Sequence, residues 1–141
     1  MNIDGVHNGI VIDHIKSGMS MQIYQLLGLD ELDCCVAIIK NVKSSKYGKK
    51  DIIKIDSEID IDLDVLGYVD PNITVNLVRD GRLHTKRHLE LPNKLVNVIK
   101  CKNPRCITTI EQEIDHIFRL VDKDARLYRC VYCEAKPQGS D

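Results

Sequence analysis

Gly9-Ile10-Val11-Ile12-Asp13-His14-Ile15 is apolar and β-branched except at Asp13 and His14, the pattern of a buried strand. A helix is predicted to follow, with Ser20 as its N-cap, Met21, Tyr24 and Leu27 recurring every three residues, Ile23 and Leu26 widening the stripe, and Gly28 ending it. Val- and Ile-rich residues 35–42 and 51–56, joined by a turn over 44–50, read as a hairpin. Between Ile59 and Val65 the chain alternates strictly with Asp60, Asp62 and Asp64, which by period alone is a half-buried strand. Asp62 is also a good helix cap, however. With it, Leu63, Leu66 and Val69 fall on one face and Pro71 lies beyond the end, so a short helix is the expectation. A second hairpin, residues 73–78 and 82–86, turns through Arg79-Asp80-Gly81. The order strand, helix, two strands, helix, strand and an extra strand predicts an α+β fold, a ferredoxin-like sandwich of two helices on one sheet.

The chain changes character near Pro92-Asn93. Residues 1–92 carry 11 basic and 14 acidic side chains, a charge of −3, whereas residues 93–141 carry 9 and 7, a charge of +2. Two domains are expected, 1–92 and 93–141. The second has short strand candidates at 95–99, 116–121 and 126–129, and its 49 residues are too few to bury an adequate core unaided. Cysteine supplies what the core lacks. Cys101-x-x-x-x-Cys106, 23 residues, then Cys130-x-x-Cys133 is a two-knuckle arrangement of four thiols, whose spacing suits one structural Zn2+ in a small all-β, zinc-ribbon-like fold. Four cysteine ligands would close the coordination shell, so the metal is expected to hold structure and not to activate water. The bland alternative is four small apolar side chains or a labile disulfide pair. Cys34 and Cys35, adjacent at the start of a β-rich run, read as packing residues, one inward and one outward.

Composition excludes several functions. The net charge is −1 over 141 residues, with one Phe and no Trp, so neither bulk polyanion binding nor an aromatic platform for single-stranded nucleic acid is expected. No apolar run approaches the roughly 18 residues of a membrane span. The opening Met-Asn-Ile-Asp-Gly lacks the layout of a signal peptide, which places the chain in the cytoplasm. There is no G-x-x-x-x-G-K phosphate loop, so a P-loop hydrolase is not indicated. A zinc-ribbon nucleic-acid or transcription-associated module stays open as the alternative, weakened because Lys100, Lys102 and Arg105 are followed closely by Glu111, Glu113 and Asp115.

One further signal is the combination of Gly9 to Ile15, Gly48-Lys49-Lys50-Asp51-Ile52-Ile53-Lys54-Ile55, Thr74-Val75-Asn76 and the four cysteines. In order and spacing, from about Asp4 to Cys133, it resembles the regulatory chain of aspartate carbamoyltransferase. That resemblance implies a non-catalytic subunit with a nucleotide-binding allosteric domain and a zinc domain contacting the catalytic chain. It implies pairing as homodimers, three of which link two catalytic trimers, with CTP inhibiting, often helped by UTP, and ATP competing for the same site. Carried over motif by motif, Asp13 and His14 correspond to the ribose and phosphate end with Val11 near the sugar. Lys50 and Lys54 correspond to lysines near phosphate and ribose or base, Asn76 and Val78 to the strand lining the pocket, and Lys86 to the lysine gripping the triphosphate. Gly5 and Val6 match the segment whose backbone meets the base edge, while Gly81 departs from the family at a position where a larger side chain often packs near the base. The chemistry is compatible: a nucleoside triphosphate brings about four negative charges, and several lysines are needed to receive it.

Overall fold

In the computed structural model, which describes residues 5–45 and 48–137, the chain forms two compact units, residues 1–90 and 91–141. No helix among the described residues is long and apolar enough to cross a membrane.

The first unit is built on five antiparallel strands, β1 (Gly9–Lys16), β2 (Val36–Ser44), β3 (Gly48–Ile55), β4 (Thr74–Arg79) and β5 (Arg82–His88), in the spatial order β2-β3-β1-β4-β5. Helices α1 (Ser20–Leu26) and α2 (Leu63–Val69) connect β1 to β2 and β3 to β4. The first four strands have the order of a ferredoxin-like sandwich, and β5 adds one strand at the β4 edge. Alternation along the strands sends Ile10, Ile12, Ile53, Ile55 and Val75 into the main core, where Ile23 of α1 and Leu66 of α2 close over them. Ile15 rejoins that core only because β1 carries an irregularity between Ile12 and Ile15, with His14 at φ 58°.

Local chemistry explains the two helices differently. Asp62 caps α2 as expected, its carboxylate accepting from the N–H groups of Asp64 at 3.0 Å and Val65 at 3.3 Å. The alternating Ile59 and Ile61 ahead of it still pack on the core from the approach segment. Ser20, expected to cap α1, is instead its first helical residue and is buried, and the capping position Met19 offers no side-chain acceptor. Ser20 is drawn inward by Asp51, whose Oδ2 accepts from the Gly18 N–H at 3.1 Å and the Ser20 N–H at 3.4 Å. Ile23 is the buried residue of the stripe, while Met21 and Leu26 are exposed. Lys46 and Tyr47, in the predicted first turn, lie outside the described residues. The second hairpin turns on Asp80 and Gly81 at φ 53° and 74°, a two-residue turn with both central residues left-handed, which an Asp-Gly pair supplies at least strain. That requirement accounts for Gly81. Cys34 packs against the core and Cys35 is exposed.

The second unit has an antiparallel sheet of β6 (Lys94–Val96), β7 (Ile117–Asp122) and β8 (Leu127–Cys130), plus a one-turn helix α3 (Ile107–Ile110) beginning right after Cys106. Its buried apolar content is small. Leu95, Phe118 and Tyr128 are almost fully buried, Leu95 directly opposing Phe118, and the Tyr128 hydroxyl donates to the Pro92 carbonyl at 2.6 Å.

Candidate functional site

Both knuckles of the second unit converge. The sulfurs of Cys101, Cys106, Cys130 and Cys133 all lie within 4.8 Å of one another, with Cys101 and Cys133 3.6 Å apart and Cys106 and Cys130 3.7 Å apart. An ion bound tetrahedrally at about 2.3 Å from each sulfur requires sulfur separations near 3.8 Å, so these four side chains fit one metal ion. Three of the four cysteines are buried. Their backbone is arranged for thiolates: the Asn103 N–H points at the Cys101 sulfur, the Thr108 N–H at Cys106, and the N–H groups of Tyr132 and Cys133 at Cys130.

Without a cation the four thiols cannot ionise together. Burial pushes Cys101 up to about 12, reinforced by the neighbouring thiols, and burial also raises Cys130. Cys106 goes the other way, down to about 7: burial opposes ionisation there, but the Thr108 hydroxyl, 3.1 Å from the sulfur, and the Thr108 N–H outweigh it. Held by these four sulfurs, a dication would displace their protons and favour the thiolate at each. Outside the ligands, His116 Nδ1 accepts from the Cys101 N–H at 2.9 Å and fixes the first knuckle to the start of β7.

The nucleotide-site candidates occupy the face of the first unit's sheet turned away from α1 and α2. Register places them. Lys54 on β3 opposes Val11 on β1, Val11 opposes Asn76 on β4, and Asn76 opposes Lys86 on β5, so four candidates form one transverse row across four strands. Val78 lies on the same face, two residues along β4, and packs with Val6, Val11 and Ile52 in a small apolar cluster. Val6 is held there because the following residues are anchored: the His7 N–H donates to Asp56 Oδ1 at 3.0 Å and the His7 carbonyl accepts from Gly81 N–H at 2.8 Å. Gly5 precedes it, exposed, at φ 89°.

Asp13 is fully buried on this face, its Oδ1 2.9 Å from Lys50 Nζ and 2.6 Å from the His14 N–H. Burial pushes its carboxyl up, but the Lys50 contact, the His14 N–H and the nearby charges of both residues together hold it below the ordinary aspartate value. Asn76, also fully buried, donates from Nδ2 to the Val11 carbonyl at 3.2 Å. The remaining oxygens, Asp13 Oδ2 and Asn76 Oδ1, have no hydrogen-bond partner among the described residues. Both lie on the face that carries Lys50, Lys54 and Lys86, where they can accept hydrogen bonds from a polar ligand. Thr74 was not among the sequence candidates; its hydroxyl lies 3.0 Å from His14 Nδ1. Only the opposition of Asp13 to Thr74 across β1 and β4 discloses it.

Comparison with known proteins follows the same division. Residues 1–90 match the family model described as aspartate carbamoyltransferase regulatory chain, allosteric domain, and residues 93–141 match the metal binding domain of that regulatory chain. The aspartate carbamoyltransferase regulatory chain of Clostridium tetani is 53% identical over 135 residues, covering 95% of this chain and 94% of the relative. Its counterpart in Clostridium botulinum is 50% identical over 141 residues, with 100% and 97% covered. That of Bifidobacterium longum is 45% identical over 134 residues, with 95% and 96% covered. A four-cysteine metal unit, a ferredoxin-like unit and full-length similarity agree, and the chain belongs to the family of aspartate carbamoyltransferase regulatory chains, regulatory subunits rather than catalytic ones.

Proposed function

We propose that the chain senses nucleotides on the outer sheet face of its first unit and passes that signal to an aspartate carbamoyltransferase catalytic chain through its second, in pyrimidine biosynthesis. The observation that carries the reading is the pair of buried orphaned acceptors, Asp13 Oδ2 and Asn76 Oδ1, in a face bordered by Lys50, Lys54 and Lys86. A nucleoside triphosphate answers both features. Ribose hydroxyls donate to Asp13 and its neighbourhood, the lysines receive phosphate, and the backbone at Gly5 and Val6 reads the base edge next to Val78. CTP is the inhibitor in this reading, UTP assists it, and ATP opposes it by competing for the same face.

The metal is Zn2+, one per chain, since four thiolates at tetrahedral spacing suit a borderline-soft ion with no geometric preference of its own. With all four positions taken by protein it stabilises the unit. The surface it organises is apolar in places: Ile107 and Ile110 on α3 and Tyr132 between Cys130 and Cys133 are exposed, and such side chains are enriched where one protein docks on another. This is the catalytic-chain contact in our reading, with regulatory homodimers bridging two catalytic trimers in the cytoplasm. A nucleic-acid-binding ribbon is disfavoured because Lys100, Lys102 and Arg105 are followed closely by Glu111, Glu113 and Asp115.

Regulation requires the effector to bind two quaternary states with different free energies, typically by about 1 to 3 kcal/mol. Reassembly with catalytic trimers tests the whole reading. CTP should depress carbamoyl transfer by the reassembled complex and leave isolated trimers unaffected, and ATP should relieve that inhibition. A complex that forms yet gives the same rate with and without CTP and ATP would refute it.

A further inference from the structure

The same register that gathers the nucleotide candidates brings one more ionisable side chain to the face. His88 on β5 directly opposes Thr74 on β4, and Thr74 opposes Asp13 on β1. Directly opposed residues of an antiparallel pair share a face, with Cβ atoms about 4.5–5.5 Å apart. His88, Thr74 and Asp13 therefore form a second transverse row, parallel to Lys86, Asn76, Val11 and Lys54 and displaced from it by two residues, about 7 Å. From Val78 at the apolar end to Thr74 is four steps of β4, about 14 Å, a length on the scale of an extended nucleotide. Base, sugar and phosphates thus have an order on this face. Val6 and Val78 are at the base end, Val11, Asn76 and Asp13 on β1 and β4 meet the sugar, and the phosphates run toward Lys86 and His88 on β5.

The β5 side of the face carries Lys86, whose charge no described carboxylate on this face neutralises, whereas Lys50 is paired with Asp13. Lys50 reaches Asp13 at 2.9 Å, His14 Nδ1 is 3.0 Å from the Thr74 hydroxyl, and Lys86 lies two residues before His88 on its own strand. The charged and titratable groups on this side of His88 are His14 across Thr74, the Asp13 and Lys50 pair beyond it, and Lys86. Arg87 turns to the opposite face, where it borders a groove with Ile10, Val75 and Leu77. His88 itself is exposed.

We propose that His88 is a further effector-binding residue, which contacts the outer phosphates of a nucleoside triphosphate and strengthens its binding when the imidazole is protonated. The inference rests on the nucleotide reading above. Histidine is the side chain that changes charge between about pH 5 and 8, so the site would report pH as well as nucleotide, and would discriminate triphosphates from monophosphates most sharply on the acid side.

Calorimetric titration of the full zinc-loaded chain with CTP and with CMP, at about pH 6 and about pH 8, tests this. The wild-type chain should bind CTP roughly fivefold more tightly at the lower pH, with little change for CMP. His88→Gln should lose most of that gain, and His88→Arg should keep tight CTP binding at both pH values. At a given pH CTP is protonated to the same extent whichever protein it meets, so the comparison between proteins isolates His88. A His88→Gln chain, folded by circular dichroism, that retains the full wild-type ratio overturns the assignment of His88. Failure of the wild-type chain to bind CTP or ATP at either pH, unaltered by Lys86→Ala, overturns the nucleotide reading and this inference with it.

Discussion

Lys50 and Asp51 are neighbours on β3 that face opposite sides of the sheet, and each belongs to a buried charge arrangement. Lys50 neutralises Asp13 on the outer face. Asp51, fully buried, ties the loop before α1 to β2 through the N–H groups of Gly18, Ser20 and Asn41. Removing one partner of a buried pair leaves an uncompensated charge, so Lys50→Ala should destabilise the chain by about 3 kcal/mol, measured by urea unfolding. Adding Asp13→Asn to that variant should restore much of the loss, because the stranded charge is then gone. The carboxyls also set acid behaviour. Burial pushes the Asp51 carboxyl up, but the Ser20 side chain and the three N–H groups outweigh it and lower it, and Asp13 is lowered likewise. A folded-state value below the unfolded one, about 3.9, means the stabilisation is whole above that pH and is lost as pH falls through the folded value. The first unit should accordingly hold its sheet at pH 5 and lose it below about pH 4, as far-ultraviolet circular dichroism would show. Asp51→Asn should flatten that acid transition.

At the scale of elements, strand identity was legible because β-branched runs and turn residues are local signals. So was α2: the cap at Asp62 prevailed over the strand-like alternation of Ile59 to Val65, since Asp62 satisfies two N–H groups at the helix start. Asp62→Ala should cost about 1 kcal/mol by thermal or urea unfolding, the usual range being about 0.5–2. Ser20 was misread as a cap because nothing local reveals that Asp51, 31 residues away, takes its N–H. The irregularity that lifts His14 to φ 58° is equally invisible in a run of Val and Ile. That the four cysteines form one cluster was legible from spacing alone. On the sheet face the residue types could be guessed from motifs, but the row Lys54, Val11, Asn76 and Lys86 depends on long-range register, which sequence periodicity does not encode.

Across the whole molecule, the two units draw on different sources of stability. The first buries a full aliphatic core; the second depends on a few buried side chains and its thiolate cluster. Chelation should therefore unfold residues 91–141 and abolish binding to catalytic trimers, while amide signals of the β1–β5 sheet persist in heteronuclear spectra. Metal loss should also accelerate on acidification, because protons compete for the same sulfurs. The near-neutral total charge conceals a division of −3 and +2, and Lys50, Lys54 and Lys86, the cations we propose for a polyanion, sit within the more acidic unit. The central claim is that one nucleotide occupies the Asp13, Lys54 and Asn76 face, and the most direct test is calorimetry of CTP with the full chain, repeated with saturating ATP and with Lys54→Ala. The account predicts one CTP per chain, displacement by ATP, and affinity reduced at least roughly tenfold in the variant, the worth of a charge-assisted contact. CTP binding that neither ATP nor Lys54→Ala alters would contradict it.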